Sequence, residues 1–220
     1  MIIVVEGLSA VGKTTALQGL PVAQVVAEAG EAPRPGTGSP CPPAPGEETP
    51  RFWVERQTHR WRRLLEIERR QGRAYADTDP IKLHYAFGLA MLGARPRAAF
   101  DEEYEATREA MDAERLGFAD HVVLLAVSAE VLAARKVADA TRSRRNFSLH
   151  ARLGPSLDAY YAALEHLRPG MVRRVEVEGR AQPEDVRAVL QGLDTRLHGR
   201  YDVGLLHQFK HALDHALERG

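Results

Sequence analysis

The sequence has little cysteine, little lysine and no excess of charge of one sign. A single cysteine, Cys41, occurs among 220 residues, so no disulfide can form within the chain and we expect a reducing, cytoplasmic location. Thirty basic residues balance thirty acidic ones, which removes the global positive field that holds proteins on nucleic acid or anionic lipid. We therefore expect no nucleic-acid partner, and any site for an anion must be local.

Long hydrophobic runs are also missing. The apolar run from Ile2 to Val5 is too short for the core of a signal peptide and far too short to cross a bilayer, so we expect no membrane segment. With 44% hydrophobic and 27% charged residues, the composition is typical of a globular chain, and the length suits one domain.

Short apolar runs alternate with helical patterns along the chain. The runs that predict strands are residues 1–6, 22–27, 74–76, 121–127 and 171–177. The patterns that predict helices are residues 14–20, 51–70, 81–91, 101–116, 129–140, 155–167 and 183–193. This alternation predicts an α/β fold, in which a central parallel sheet is covered by helices on both faces and ligands bind at the carboxyl ends of the strands.

Two segments depart from this alternation. Residues 31–50 carry seven of the thirteen prolines, which predicts a mobile, irregular loop. Residues 201–220 carry an apolar stripe at helical spacing, which predicts an amphipathic helix that packs on the domain or on a second subunit of a homodimer. The predicted α/β domain would then cover residues 1–200.

The most specific motif lies between the first predicted strand and the first predicted helix. Residues 7–14 read GLSAVGKT and match the phosphate-binding loop pattern G-x4-G-K-[ST]. In such a loop backbone N–H groups hold phosphates, Lys13 reaches the β and γ phosphates of ATP, and Thr14 gives an oxygen to Mg²⁺. The predicted nucleotide contacts are Gly7, Ser9, Ala10, Val11, Gly12, Lys13, Thr14 and Thr15.

Lysine is rare enough in this chain for Lys13 to be conspicuous. Only four of the thirty basic residues are lysines, and the rest are arginines. The four are Lys13, Lys82, Lys136 and Lys210. A lysine at a special position in this sequence is therefore informative.

The loop and its surroundings resemble the thymidylate kinase and deoxynucleoside kinase group. In that group an acidic residue directly precedes the first glycine of the loop, and here that residue is Glu6. The stretch FADHVVLLAVSAEVLAARK, residues 118–136, is similar to the group's late strand and the helix that leads to its arginine-bearing lid. The resemblance implies a P-loop NTPase fold, a three-layer α/β/α sandwich of nucleoside or nucleotide kinase type, with ATP and Mg²⁺ as cofactors.

Residues 135–152 correspond to the lid of that group. Four arginines fall within eleven residues here, and clustered guanidinium groups can spread the charge of a transferring phosphoryl group. The resemblance implies that Arg142 and Arg144 contact the triphosphate and act in catalysis, with Arg135 and Arg145 as further nucleotide contacts. A solvated basic helix face is the alternative interpretation.

Glu28 follows the second predicted strand. In the resembling deoxynucleoside kinases a glutamate at this strand end is the base that takes the proton of the acceptor hydroxyl, so the resemblance implies this catalytic role for Glu28. The alternative is a surface acid that begins the proline-rich loop.

Asp77, Thr78 and Asp79 follow the third predicted strand, where the group has an acid followed by an arginine. Asp77 matches the acid, a catalytic residue and ligand of Mg²⁺, but the arginine is missing. A second carboxylate, Asp79, would repel an incoming monophosphate by about 1 kcal/mol or more, which favours an uncharged or cationic acceptor.

The Asp-Thr-Asp sequence also resembles that of nicotinamide riboside kinase-type enzymes, which phosphorylate a hydroxyl. This resemblance implies that Asp79 binds hydroxyl groups of the acceptor. An ordinary turn with a helix cap is the alternative for the whole segment.

Trp53 and Arg60 lie on the predicted helix that forms a wall of the acceptor pocket in this architecture. We expect both to contact the acceptor, although tryptophans also serve as core residues.

These residues predict an enzyme that transfers the γ-phosphoryl group of ATP to a hydroxyl of a small molecule, either nucleoside-like or an antibiotic or metabolite alcohol. A nucleoside monophosphate kinase is the first alternative, which the overall resemblance favours and the missing arginine opposes. A nucleotide-dependent switch ATPase is the second. The sequence contains neither the Asn-Lys-x-Asp motif of guanine-binding switches nor the Leu-Ser-Gly-Gly motif of transport ATPases.

Overall fold

The computed structural model describes residues 1–28, 49–128, 130–132, 134, 147–177, 183–197 and 199–219. Its strands are β1 (Ile2–Gly7), β2 (Val25–Val26), β3 (Ala74–Asp77), β4 (His121–Ala126) and β5 (Val172–Glu176). All neighbouring strands run parallel, in the order β2-β3-β1-β4-β5. The strand that leads into the phosphate loop is therefore central in the sheet.

Helices connect these strands. They are α1 (Lys13–Leu17), α2 (Pro50–Gln71), α3 (Leu83–Met91), α4 (Arg97–Asp112), α5 (Phe147–Arg152), α6 (Gly154–Leu167), α7 (Pro183–Gly192) and α8 (Val203–Arg219). The described residues 130–132 and 134 are also helical. Within the described ranges, no helix is long and apolar enough to cross a membrane.

The bounds of α2 follow from local chemistry. Thr49 Oγ1 accepts a hydrogen bond from Phe52 N at 3.2 Å, and Pro50 occupies the first turn, where its missing N–H does no harm. At the other end Gly72 has φ 78°, a left-handed conformation that stops a helix.

The second strand is shorter than the predicted residues 22–27, because a 3₁₀ turn occupies Val22–Gln24.

The side chains of the central strand alternate between two cores. Ile2 and Val4 are buried in one core, which α2, α3, α4, α6 and α8 cover. Ile3 and Val5 are buried in the other, which α1 and α7 cover. The predicted parallel sheet between two layers of helices is thus confirmed. Trp61 is fully buried in the first core.

The C-terminal helix α8 packs on its own chain. Phe209 lies in the first core, with its ring 4.6 Å from that of Tyr160 on α6, and Tyr104 Oη on α4 lies 2.7 Å from His207 Nδ1. The helix therefore stabilises the helical layer, as one of the two sequence alternatives expected. A homodimer stays a prediction.

Candidate active site

The phosphate loop forms the turn between β1 and α1. Three of its residues have positive φ: Gly7 at 148°, Ala10 at 74° and Gly12 at 106°. A Cβ atom at Gly7 would lie 2.6 Å from the carbonyl oxygen of Leu125, so the sequence needs glycine there for space as well as for conformation. Left-handed residues among right-handed ones gather backbone N–H groups into a concave anion site.

Lys13 lies across its own loop. Its Nζ donates hydrogen bonds to the carbonyl oxygens of Gly7 at 2.7 Å and Leu8 at 3.3 Å. The ammonium group is thereby held next to the loop that is expected to bind phosphates. Ser9 also lines the cavity beside the loop, and Thr15 is exposed in the first turn of α1.

Thr14 and Asp77 meet at the end of β3. Thr14 Oγ1 donates a hydrogen bond of 2.9 Å to Asp77 Oδ2, while the buried Asp77 Oδ1 has no hydrogen-bond partner among the described residues. Burial raises the pKa of Asp77, and the hydrogen bond from Thr14 opposes that rise. A hydroxyl beside an unpaired carboxylate oxygen fits the hard oxygen ligands that Mg²⁺ prefers.

Glu6 fixes the loop to the segment that follows β3. Its Oε1 accepts a hydrogen bond from Gly7 N at 2.9 Å, and its Oε2 accepts one from Asp79 N at 2.8 Å. Burial alone would raise the pKa of Glu6, but the neighbouring His84 and Lys13 together with the Asp79 N–H leave it lowered. The ionised carboxylate of Glu6 thus connects the phosphate loop to the segment after β3 inside the protein.

A cavity of about 440 Å³ opens beside the loop, a volume in the usual range for small-molecule sites. Its walls come from the phosphate loop, the segments after β2 and β3 and helices α2 to α6. They include Lys13, Glu28, Trp53, Gln57, Lys82 and Glu103. Lys13, predicted to bind the nucleotide, therefore shares one cavity with Glu28 and Trp53, predicted to serve the acceptor.

Glu28 lines this cavity and forms an ion pair with Lys82. Its Oε1 lies 2.8 Å from Lys82 Nζ. Burial would raise the pKa of Glu28, but the Lys82 ammonium, assisted by Lys13 and Arg60, lowers it to about 2. Glu28 is therefore ionised at neutral pH. The sequence did not predict Lys82 as a site residue, although the small number of lysines in this chain was a usable signal.

Thr78 occupies the position where the resembling kinases have arginine. It has φ 69°, which is strained for a β-branched residue. Its Oγ1 is buried without a hydrogen-bond partner among the described residues, and the residue lines the cavity. Strained residues with unpaired polar atoms are common at functional sites, and Thr78 joins the candidate residues for that reason.

Arg60 was expected to bind the acceptor, and its contacts correct that expectation. It is buried, and it donates hydrogen bonds to the carbonyl oxygens of Ala27, Asp77 and Thr78 at 2.9, 2.6 and 3.2 Å and to Gln57 Oε1 at 2.7 Å. With these bonds the guanidinium group is engaged by the protein itself, and Arg60 does not line the cavity. Arg60 therefore positions the segments after β2 and β3 instead of facing a ligand.

Asp79 was also expected at the acceptor, and its placement is likewise a correction. It is 5% exposed. Its Oδ1 accepts a hydrogen bond from Ile81 N at 2.9 Å, and its Oδ2 accepts one from Tyr161 Oη at 3.2 Å. Burial raises the pKa of Asp79 to about 7. One oxygen thus bonds to the turn before α3 and the other to α6. The carboxyl group repels an anion less than a fully ionised one would.

The remaining predicted residues divide into two groups. Trp53 lines the cavity from α2, and its contact with the acceptor stays a prediction. Arg135, Arg142, Arg144 and Arg145 lie outside the described residues, as do residues 31–48 of the predicted loop, with Cys41. From the described end of the lid segment, His150 on α5 lines the same cavity.

Gln57, Arg95 and Glu103 line the cavity too, and none of them was predicted. No sequence signal distinguishes them. Glu103 is one of three acids between residues 101 and 103, and only the packing of α4 shows that it faces inward.

The fold is similar to that of a solved thymidylate kinase from Candida albicans, whose structure is described as revealing the origin of broad substrate specificity and a novel structural element. The two are 12% identical with a TM-score of 0.51, over 86% of this chain and 90% of that one. No protein-family model and no curated protein matches the sequence. The likeness concerns the fold alone, and by it the chain has the P-loop α/β/α fold of the thymidylate kinase group.

Proposed function

We propose that the protein is a kinase that transfers the γ-phosphoryl group of ATP to a hydroxyl group of a small-molecule acceptor. The observation that carries the proposal is the contact between Thr14 and Asp77, next to a loop whose Lys13 lines the same cavity as Glu28. A phosphate loop, a fitting pair of Mg²⁺ ligands and a cavity with an ionised carboxylate are the parts that phosphoryl transfer to an alcohol needs.

At the nucleotide end, Lys13 exchanges its bonds to Gly7 O and Leu8 O for oxygens of the β and γ phosphates. Thr14 and Asp77 would hold Mg²⁺, which would supply positive charge to neutralise the phosphates. Arg142 and Arg144 are proposed to contact the triphosphate from the lid.

At the acceptor end, Glu28 takes the proton of the hydroxyl as it attacks phosphorus. A carboxylate with a pKa of about 2 is a weak base, so the ion pair must loosen before Glu28 can act. We propose that Lys82 then moves from Glu28 to the phosphoryl group. Lys82 would thereby supply the positive charge that the arginine missing after Asp77 does not.

A nucleoside monophosphate kinase is the second candidate, and Arg95 favours it. Arg95 lines the cavity, and no carboxylate of the described residues forms an ion pair with it. A guanidinium group in that position suits the phosphate of an acceptor. Glu103 on the same cavity wall opposes this candidate, because a buried carboxyl repels an anionic acceptor.

ATP consumption tests the proposal, measured with and without a panel of hydroxyl-bearing metabolites, with product masses recorded. A kinase consumes ATP only when an acceptor is present, and the product gains one phosphoryl group. Lys13→Ala should abolish transfer and leave the protein folded, because the hydrogen bonds of Lys13 among the described residues go to its own loop. Slow hydrolysis that no acceptor stimulates would contradict the proposal and favour a switch ATPase.

A further inference from the structure

Glu103 is a buried acid that has no partner among the described residues. It is 8% exposed and lines the cavity, yet its carboxyl group makes no hydrogen bond or ion pair with any described residue. The polar neighbours on α4 are paired, since Tyr104 Oη bonds to His207 and Thr107 Oγ1 bonds to the carbonyl oxygen of Glu103. Buried acids are rare without such partners, so this one points to a group supplied from outside.

Burial of the Glu103 carboxyl group disfavours its ionised form. Burial raises the pKa of Glu103 to about 7, even though the charges of Arg95 and Lys82 lower it. Neither cation lies within ion-pair distance of Glu103. The described residues therefore compensate the negative charge poorly, and a positively charged ligand would compensate it directly.

Gln57 presents hydrogen-bond donors to the same cavity. Its Oε1 accepts a bond from Arg60 at 2.7 Å, and because a guanidinium group can only donate, the orientation of the amide is fixed. The Nε2 group is then turned away from Arg60. The cavity thus offers an acceptor of hydrogen bonds at Glu103 and donors at Gln57.

We propose that Glu103 binds an ammonium group of the acceptor, so that the substrate is an amino alcohol. The inference rests on the proposed kinase function, with the reacting hydroxyl at Glu28 and the amine at Glu103. A neutral hydroxyl could donate to Glu103 but would leave its charge uncompensated, whereas an ammonium group supplies both a donor and a charge. An anionic group at this position would be repelled.

Calorimetric binding tests this directly, with an ATP analogue that cannot be hydrolysed present throughout. The probes are two matched pairs, glucosamine with glucose and a 3′-amino-3′-deoxynucleoside with its parent nucleoside. In the wild type, at least one amine should bind about tenfold or more tightly than its hydroxyl counterpart. In Glu103→Gln the preference should shrink to within about threefold. Glu105→Gln is the control, because Glu105 lies on the same helix, is exposed and pairs with Arg108.

The Gln variant has the shape of the native side chain and lacks only the uncompensated charge, and its melting temperature verifies that it folds. Equal binding within both pairs, no binding of either amine, or a preference that survives in Glu103→Gln overturns the ammonium site. Phosphoryl transfer to the same compounds separates the two hypotheses. Preferential binding of an amine that is never phosphorylated contradicts only the kinase function, and transfer without amine preference contradicts only the ammonium site.

Discussion

Thr14 Oγ1 donates a hydrogen bond of 2.9 Å to Asp77 Oδ2 across 63 residues of sequence. The contact follows from the sheet, because β1 and β3 are parallel neighbours with Val5 opposite Asp77. The carboxyl ends of both strands therefore reach the same edge. Two motifs that are separate in the sequence become one site there.

Asp77→Asn should weaken the use of Mg²⁺ by the enzyme. The amide keeps an oxygen that can accept the bond from Thr14, but it removes the negative charge that the metal needs. We expect the Mg²⁺ concentration for half-maximal turnover to rise by about tenfold or more, with stability nearly unchanged. Titration of activity with Mg²⁺ measures this, and an unchanged Mg²⁺ requirement would count against Asp77 as a ligand.

Lys82→Met should move the acidic limb of the pH profile upward. In the native protein the ion pair with Lys82 lowers the pKa of Glu28 to about 2, from an ordinary value of 4.5, so Glu28 stays ionised at every practical pH. Without Lys82 the pKa of Glu28 should rise toward its ordinary value, because the charge that lowers it most is gone, although Lys13 and Arg60 still lower it. The kcat/KM of the variant should therefore fall as pH decreases from about 6 to about 4, because Glu28 becomes protonated.

The control for that profile is Lys210→Met. Lys210 forms ion pairs with Asp101 and Asp214 away from the cavity, so its removal should leave the profile as in the wild type. An acidic limb in Lys82→Met that coincides with the wild type would show that Lys82 does not control Glu28.

Arg142→Ala and Arg144→Ala should each lower turnover more than they weaken ATP binding. Contacts to a transferring phosphoryl group strengthen in the transition state, and their loss therefore appears mainly in kcat. Steady-state kinetics with calorimetric ATP binding separate the two effects. Unchanged kinetics in both variants would indicate a solvated basic surface.

Glu103→Gln should stabilise the protein in a pH-dependent way. The pKa of Glu103 in the folded protein, about 7, lies above the ordinary value of 4.5. Ionised Glu103 therefore lowers the free energy of unfolding above pH 7, whereas the protonated group at low pH does not. The gain from the variant should be near zero at about pH 4.5 and reach about 3 kcal/mol at about pH 8. Urea unfolding at both values measures it, and a gain that is equal at both would contradict the assigned burial of charge.

The sequence predicted the parts of the site that are contiguous. Residues 7–14 form a local motif, so their pattern alone identified the loop, and the resemblance linked Asp77 to it. Arg60 was misplaced because its partners include backbone carbonyls of distant segments, such as Ala27 O, which carry no signal in sequence. For Asp79 the alternative of an ordinary turn was the better one, because one of its oxygens bonds to Ile81 N two residues on and the other to the distant Tyr161. Glu103 escaped notice for a related reason, since helical spacing does not specify which neighbour a buried face meets.

The kinase proposal is tested most directly by transfer rates from ATP to hydroxyl acceptors and to nucleoside monophosphates, measured for the wild type and Glu28→Gln. Phosphate is already ionised at neutral pH and needs no base, whereas a hydroxyl does. The proposal predicts that an alcohol is the better acceptor and that Glu28→Gln lowers its transfer by about 10²–10⁴-fold, with ATP affinity unchanged. A monophosphate phosphorylated about tenfold or more efficiently than every alcohol, with Glu28→Gln near wild type, would contradict it.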